Sequence, residues 1–150
     1  MFERVVFYKQ GDDMFKYAIF AMIISFGVHG CAGTKFTDQN VTVITARDAE
    51  RGKGPSGITD TFSLEGRVVA YATFRWDGGG SAGAQLIEVK WYNGDKLVAT
   101  RSNTLQLDQS PYHVWFWQNS IGLGLGRCSV EFHAGGRRVG RKEFLIVEKL

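Results

Sequence analysis

Catalysis requires a nucleophile, a base or a metal, and this 150-residue chain offers few of each. Its thiols are Cys31 and Cys128, and its imidazoles are His29, His113 and His133. A zinc site needs three or four His, Cys or carboxylate ligands at short spacings, and no stretch supplies them. Cys128 falls on the inward face of an alternating segment, where a thiol is an inert core residue. No Gly-x-Ser-x-Gly elbow singles out a serine nucleophile. Residues 122–126, Gly-Leu-Gly-Leu-Gly, resemble a phosphate loop only superficially. The dinucleotide and P-loop versions work because a helix N-terminus follows and points its amides at the phosphate. Here Arg-Cys-Ser-Val-Glu-Phe follows, a strand pattern, so the glycines read as a bulge or the start of a strand. The expectation is a non-enzymatic protein with no metal and no cofactor.

Two features suit binding instead. Residues 112–117, YHVWFW, hold four aromatics in six positions. On a strand, alternation puts Val114 and Phe116 on one face and His113, Trp115 and Trp117 on the other. Either one set enters the core while a loop covers the other, or Trp115 and Trp117, with Tyr112 beside them, form an exposed patch suited to a partner. The second feature is Arg137, Arg138, Arg141 and Lys142, which flank a turn near the C-terminus. They are either a solvated hairpin or a contact for anionic lipid heads or an acidic partner. The net charge of +3 is a mild excess, well short of a nucleic-acid footprint.

Residues 14–31, MFKYAIFAMIISFGVHGC, set the address of the chain. The apolar run over 17–28 is 12 residues long, whereas a membrane-spanning helix needs about 20. That length suits a signal-peptide core. The alternative is a buried helix carrying an incidental cysteine, but no polar face interrupts the run as an amphipathic helix would require. Val28-His29-Gly30-Cys31 then resembles the lipobox of bacterial lipoproteins, with Val28 where leucine is commonest and His29 larger than usual. The resemblance covers about the first fifth of the chain. It implies a diacylglyceryl group on the Cys31 thiol, cleavage before Cys31, and acylation of the freed amine. It also implies a signal peptide over 1–30 and, with Ala32 after the cysteine, an outer-membrane address facing the periplasm. Residues 1–13 carry Glu3, Asp12 and Asp13, unusual in an export signal, so the expected true start is Met14.

The remaining elements must position whatever binds. Residues 31–40 are small and polar and read as a lipidated tether, leaving 41–150 as one domain. Nineteen glycines, two prolines and 13% aromatics favour strands joined by tight turns. Strands are predicted over 41–45, 58–64, 67–76, 86–92, 96–100, 104–107, 113–118, 127–133 and 141–148, with a loop over 48–57. Residues 67–76 place Val68, Ala70, Ala72, Phe74 and Trp76 on one side; 86–92 bury Ile87, Val89 and Trp91. Asn93-Gly94-Asp95 marks a hairpin, residues 77–83 a flexible loop, and Gly135-Gly136 the last turn.

Turn signals every 8–12 residues and no helical period indicate an all-β sandwich or barrel. Trp91 in a central strand, with an alternating Cys128 strand before a Gly turn and a final strand, resembles an immunoglobulin-like antiparallel sandwich of about seven strands. An antibody-type domain would bridge Cys128 to a cysteine near Val69 or Tyr71, and none is present. The combined expectation is a lipid-anchored cell-envelope protein that binds a protein or glycan partner. The alternative is a periplasmic inhibitor of a lysozyme-like hydrolase, inserting a loop such as 77–83 into the enzyme's cleft.

Overall fold

The computed structural model describes residues 34–78 and 80–150, and the period-2 patterning there becomes nine strands and one helical turn. The expected signal peptide, the Met14 start and the lipidation site Cys31 lie outside the described residues. In chain order the strands are β1 (Val41–Glu50), β2 (Gly54–Ile58), β3 (Thr61–Ser63), β4 (Arg67–Phe74), β5 (Gly83–Asn93), β6 (Lys96–Leu107) and β7 (Tyr112–Asn119). The helical turn α1 (Ser120–Leu123), β8 (Gly126–Ala134) and β9 (Arg137–Val147) follow. They form a four-stranded sheet, β2-β1-β4-β7, facing a five-stranded sheet, β3-β9-β8-β5-β6. All pairs are antiparallel except β3 with β9. The domain is an immunoglobulin-like sandwich, of nine strands rather than about seven.

Alternation decides the core. β4 contributes Val68, Ala70, Ala72 and Phe74, β5 contributes Ile87, Val89 and Trp91, and β8 contributes Cys128, Val130 and Phe132. Fully buried Trp91 meets Phe144 edge to face at 6.2 Å, and Phe62 meets Phe144 at 5.7 Å. Each large apolar side chain buried in this way stabilises by about 1.5–3 kcal/mol. Cys128 is a buried free thiol. Val69 and Tyr71, the positions suggested for a bridging partner, lie on the opposite face of β4 from the shared core, which receives Val68 and Ala70.

Several boundaries differ from the sequence expectation, each for a tertiary reason. The predicted loop over 48–57 is largely strand: β1 runs on to Glu50, and β2 pairs with it as an edge strand. Pro55, opposite Ala49, is tolerated because β2 is an edge strand with a ladder on one side only. The predicted strand over 58–64 is interrupted because the chain there crosses from one sheet to the other. Ile58 ends β2 at 64% exposure, and only Thr61–Ser63 joins β9. The predicted strands over 96–100 and 104–107 are one edge strand, β6. The glycine-rich segment begins with a helical turn, fixed from outside when Ser120 N–H donates to Gly66 O (2.9 Å) and Asn93 Nδ2 to Leu123 O (2.8 Å). In the β5–β6 hairpin Asn93 is the last ladder residue, opposite Lys96, so Gly94 and Asp95 make the turn. Gly94 alone takes a positive φ, 55°, as a type II′ turn requires. Finally, Phe36, within the expected tether, is buried and packs edge to face on Phe74 at 5.1 Å. One aromatic in a polar stretch has no periodicity to reveal it.

Candidate functional site

Cross-strand register assembles the outer face of the four-stranded sheet. Directly paired residues share a face, so Ile44, Tyr71 and Trp115 form one row across β1, β4 and β7. Ala46, Val69 and Trp117 form the next row, and Thr42, Thr73 and His113 the one on the other side. Val114 and Phe116 turn inward, Val114 buried and Phe116 packed against the core. The alternation expected for β7 therefore holds, and the aromatic set divides as the spacing requires. Trp117 is 47% exposed and Trp115 half-buried. Tyr112 pairs with Phe74 and shares the Val114 face, and at the strand end it lines one cleft together with His113 and Trp115.

The aromatic rings are held in a narrow range of orientations. Tyr71 and Trp115 lie 6.1 Å apart with an interplanar angle of 11°, and the His113 ring lies 5.6 Å from Tyr71. Thr73 Oγ1 and His113 Nδ1 are hydrogen-bonded at 3.2 Å, which fixes the imidazole. Arg101, from the edge of the opposite sheet, sets its guanidinium 5.9 Å from the Trp117 ring and donates to Gln118 Oε1 at 3.3 Å. Tyr71 is 6% exposed, and burial pushes its phenol pKa upward, so the hydroxyl stays protonated. A cleft of about 650 Å³ opens at this end of the sheet. Tyr71, His113 and Trp115 line it from the sheet, Arg51 and Lys53 from the β1–β2 turn, and Asp108 from the β6–β7 connection.

Arg137 and Arg138 belong elsewhere: they start β9 in the other sheet and line a separate cleft with Phe36 and Asp38. The basic cluster around them is largely neutralised. Arg138 and Arg141 approach Glu131 at 3.2 and 3.6 Å, Arg141 also meets Glu143 at 3.2 Å, and Lys142 meets Asp60 at 2.9 Å. Glu131 is 9% exposed, with His133 Nε2 3.2 Å from its other oxygen. Burial alone would raise its carboxyl pKa, but the hydrogen bonds from His133 and Arg138 outweigh it and hold the group below its ordinary value. Lys142 likewise holds the Asp60 carboxyl low.

Among the described residues no three His, Cys, Asp or Glu side chains converge in a way that could hold a metal ion. No described helix is long and apolar enough to cross a membrane. The Cys128 thiol is buried and its pKa is raised by that burial. Tyr71 and Asp108 were not singled out by the sequence, and Arg51 reads there only as a solvated residue of the 48–57 loop. The available signal was β4 itself, apolar on both faces through Val69 and Tyr71 as well as Val68 and Ala70.

No protein-family model matches the chain, and no curated protein matches it. Among solved structures it is similar to the Pseudomonas fluorescens alkylpurine DNA glycosylase AlkC bound to DNA containing an abasic site analog. That likeness has 15% identity and a TM-score of 0.50, over 77% of this chain and 32% of that one. It is similar also to an immunoglobulin-like protein from Pseudomonas aeruginosa, at 9% identity and TM-score 0.49, over 77% of this chain and 99% of that one. A β-glucosidase from Listeria innocua follows at 14% identity and TM-score 0.46, over 71% of this chain and 16% of that one. The chain thus spans about a third of the length of the glycosylase. At such identities the likeness is one of fold, and the strand order and register identify that fold as an immunoglobulin-like β-sandwich.

Proposed function

We propose that this is a non-enzymatic, lipid-anchored protein of the bacterial cell envelope that binds an envelope partner through the outer face of its four-stranded sheet. The observation that carries the binding role is the cluster of Tyr71, Trp115 and Trp117 on two adjacent rows of the outer face, side chains that crowd that face without entering the shared core. Trp and Tyr concentrate binding energy because they desolvate a large area with few torsions to freeze. The anchoring role rests on the lipobox-like residues 28–31. Several acyl chains make attachment stable where one would be marginal. The test has two arms. Cys31→Ser should move the chain from the membrane to the soluble fraction, and unchanged pelleting would refute the anchor. Trp117→Ala, at an exposed position, should lower capture of envelope material by the full chain without changing its thermal unfolding; unchanged capture would refute the binding face.

A second reading, inhibition of a lysozyme-like hydrolase, draws support from the connection between β4 and β5. Trp76 Nε1 donates to Gly80 O at 2.7 Å, and Ser81 Oγ donates to Leu107 O at 3.0 Å. These bonds brace the described part of the segment in the way an inserting loop requires. A lysozyme turnover assay with added full chain distinguishes the two, since a pure binding protein leaves the rate unchanged.

A further inference from the structure

We infer that the cleft beside Tyr71 and Trp115 is a saccharide-binding subsite, in which a pyranose ring stacks on the indole and its hydroxyls pair with Arg51, Asp108 and the Tyr71 phenol. This rests on the proposal that the outer face of the four-stranded sheet binds a partner, and it gives that partner a chemistry.

The first support is the aromatic wall. The π-face of an aromatic ring carries negative potential, and the axial C–H groups of a pyranose present a weakly positive, apolar face to it. Tyr71 and Trp115 hold their rings within 11° of parallel. Trp117 continues the outer face two residues along the same strand, about 7 Å further on at the strand rise. An oligosaccharide therefore finds more than one ring.

The second support is the polar rim. Lys53 is paired with Glu50 at 2.7 Å, whereas Arg51 and Asp108 form no salt bridge among the described residues. A guanidinium offers only donors and a carboxylate only acceptors. A neutral polyol, whose hydroxyls both donate and accept, satisfies both. A ligand of one charge sign would meet repulsion from one of them. Tyr71 also lines the cleft, and its hydroxyl, kept protonated by burial, adds a group that can do either.

The third support is size and rigidity. A volume of about 650 Å³ lies within the ~300–1,000 Å³ of small-ligand sites. His113 is fixed by Thr73, and the Tyr71 ring lies against both His113 and Trp115, so the aromatic wall loses little side-chain freedom on binding.

The experiment titrates the full chain, in detergent, with chitohexaose, cellohexaose and muramidase-released peptidoglycan fragments, following tryptophan fluorescence and heat. Saturable binding of at least one probe is expected, tighter for hexamer than for monomer. Trp115→Ala should weaken it tenfold or more, Trp115→Phe by less, and Arg51→Ala several-fold. Arg137→Ala, in the separate cleft, should leave it unchanged, and near-ultraviolet circular dichroism checks that each variant is folded. No saturable binding of any of the three probes, or binding that folded Trp115→Ala retains, overturns the subsite. If in that case Trp117→Ala still abolishes capture of an envelope protein, the wider binding face survives and its ligand is polypeptide. If capture is also unchanged, both fail.

Discussion

Gly140→Ala probes a close approach of the two sheets, β9 to β1. A methyl group built on Gly140 would stand 2.5 Å from Val43 Cγ2 and 3.7 Å from Val41 Cγ1. Carbon atoms in contact rest at about 3.5–4.0 Å, so methyl and Val43 must part by about 1 Å or more. Neither strand can easily retreat: Val43 is paired with Ala72 and Gly140 with Phe132. Overpacking of this kind costs about 1–3 kcal/mol. The φ at Gly140 is not positive, so alanine also brings a backbone gain of about 0.5–1 kcal/mol. The net expectation is a loss of about 1–2 kcal/mol. Val43→Ala removes the clashing methyl and leaves Val43 Cβ at 3.8 Å, an ordinary contact. In that background Gly140→Ala should become neutral or stabilising. Urea denaturation followed by tryptophan fluorescence measures all four corners of the cycle, with an expected coupling of about 1–3 kcal/mol. An equal cost of Gly140→Ala in both backgrounds would falsify the steric account.

Three further outcomes follow from buried polar groups. Ser120 Oγ is buried with no hydrogen-bond partner, so Ser120→Ala should be neutral or should raise the unfolding free energy, by up to about 1 kcal/mol, as read from urea denaturation; a clear loss of stability would contradict it. Glu131, its carboxyl held low, contributes stability that is complete above the ordinary glutamate range and lost as pH falls through its folded value. Glu131→Gln should therefore cost about 1–3 kcal/mol near neutrality and flatten the acid limb below about pH 4; an unchanged acid limb would count against the network. Cys128, 3% exposed with its pKa raised, should resist thiol reagents until the chain is denatured. The mature protein should then yield one reactive thiol in guanidinium, and two would mean that Cys31 carries no lipid.

Strand patterns in which one face is buried were readable one segment at a time. Ile87, Val89 and Trp91, and Cys128, Val130 and Phe132, turn inward as their spacing dictates. What escaped was whatever depends on a neighbour. β2, with the sequence GPSGI, has no strand propensity of its own and exists because β1 offers it a ladder. The turn at Ser120 is held by Gly66 and Asn93, both distant in sequence. The same limit applies to the candidate site. Alternation within β7 grouped His113, Trp115 and Trp117, but bringing Tyr71 against Trp115 takes the β4–β7 register. Adding Arg51 and Asp108 takes the positions of two connections between strands.

The solitary Cys128 has a consequence for how the domain is made. Its thiol sits between sheets that elsewhere are commonly fastened by a covalent staple, and here the cohesion comes from noncovalent packing, with Trp91, Phe62 and Phe144 among its largest members. No thiol oxidant or disulfide isomerase is needed to complete residues 34–150, and a reductant has nothing there to undo. The domain should emerge with the same conformation on either side of a redox boundary, which makes glutathione poise irrelevant to where it can mature.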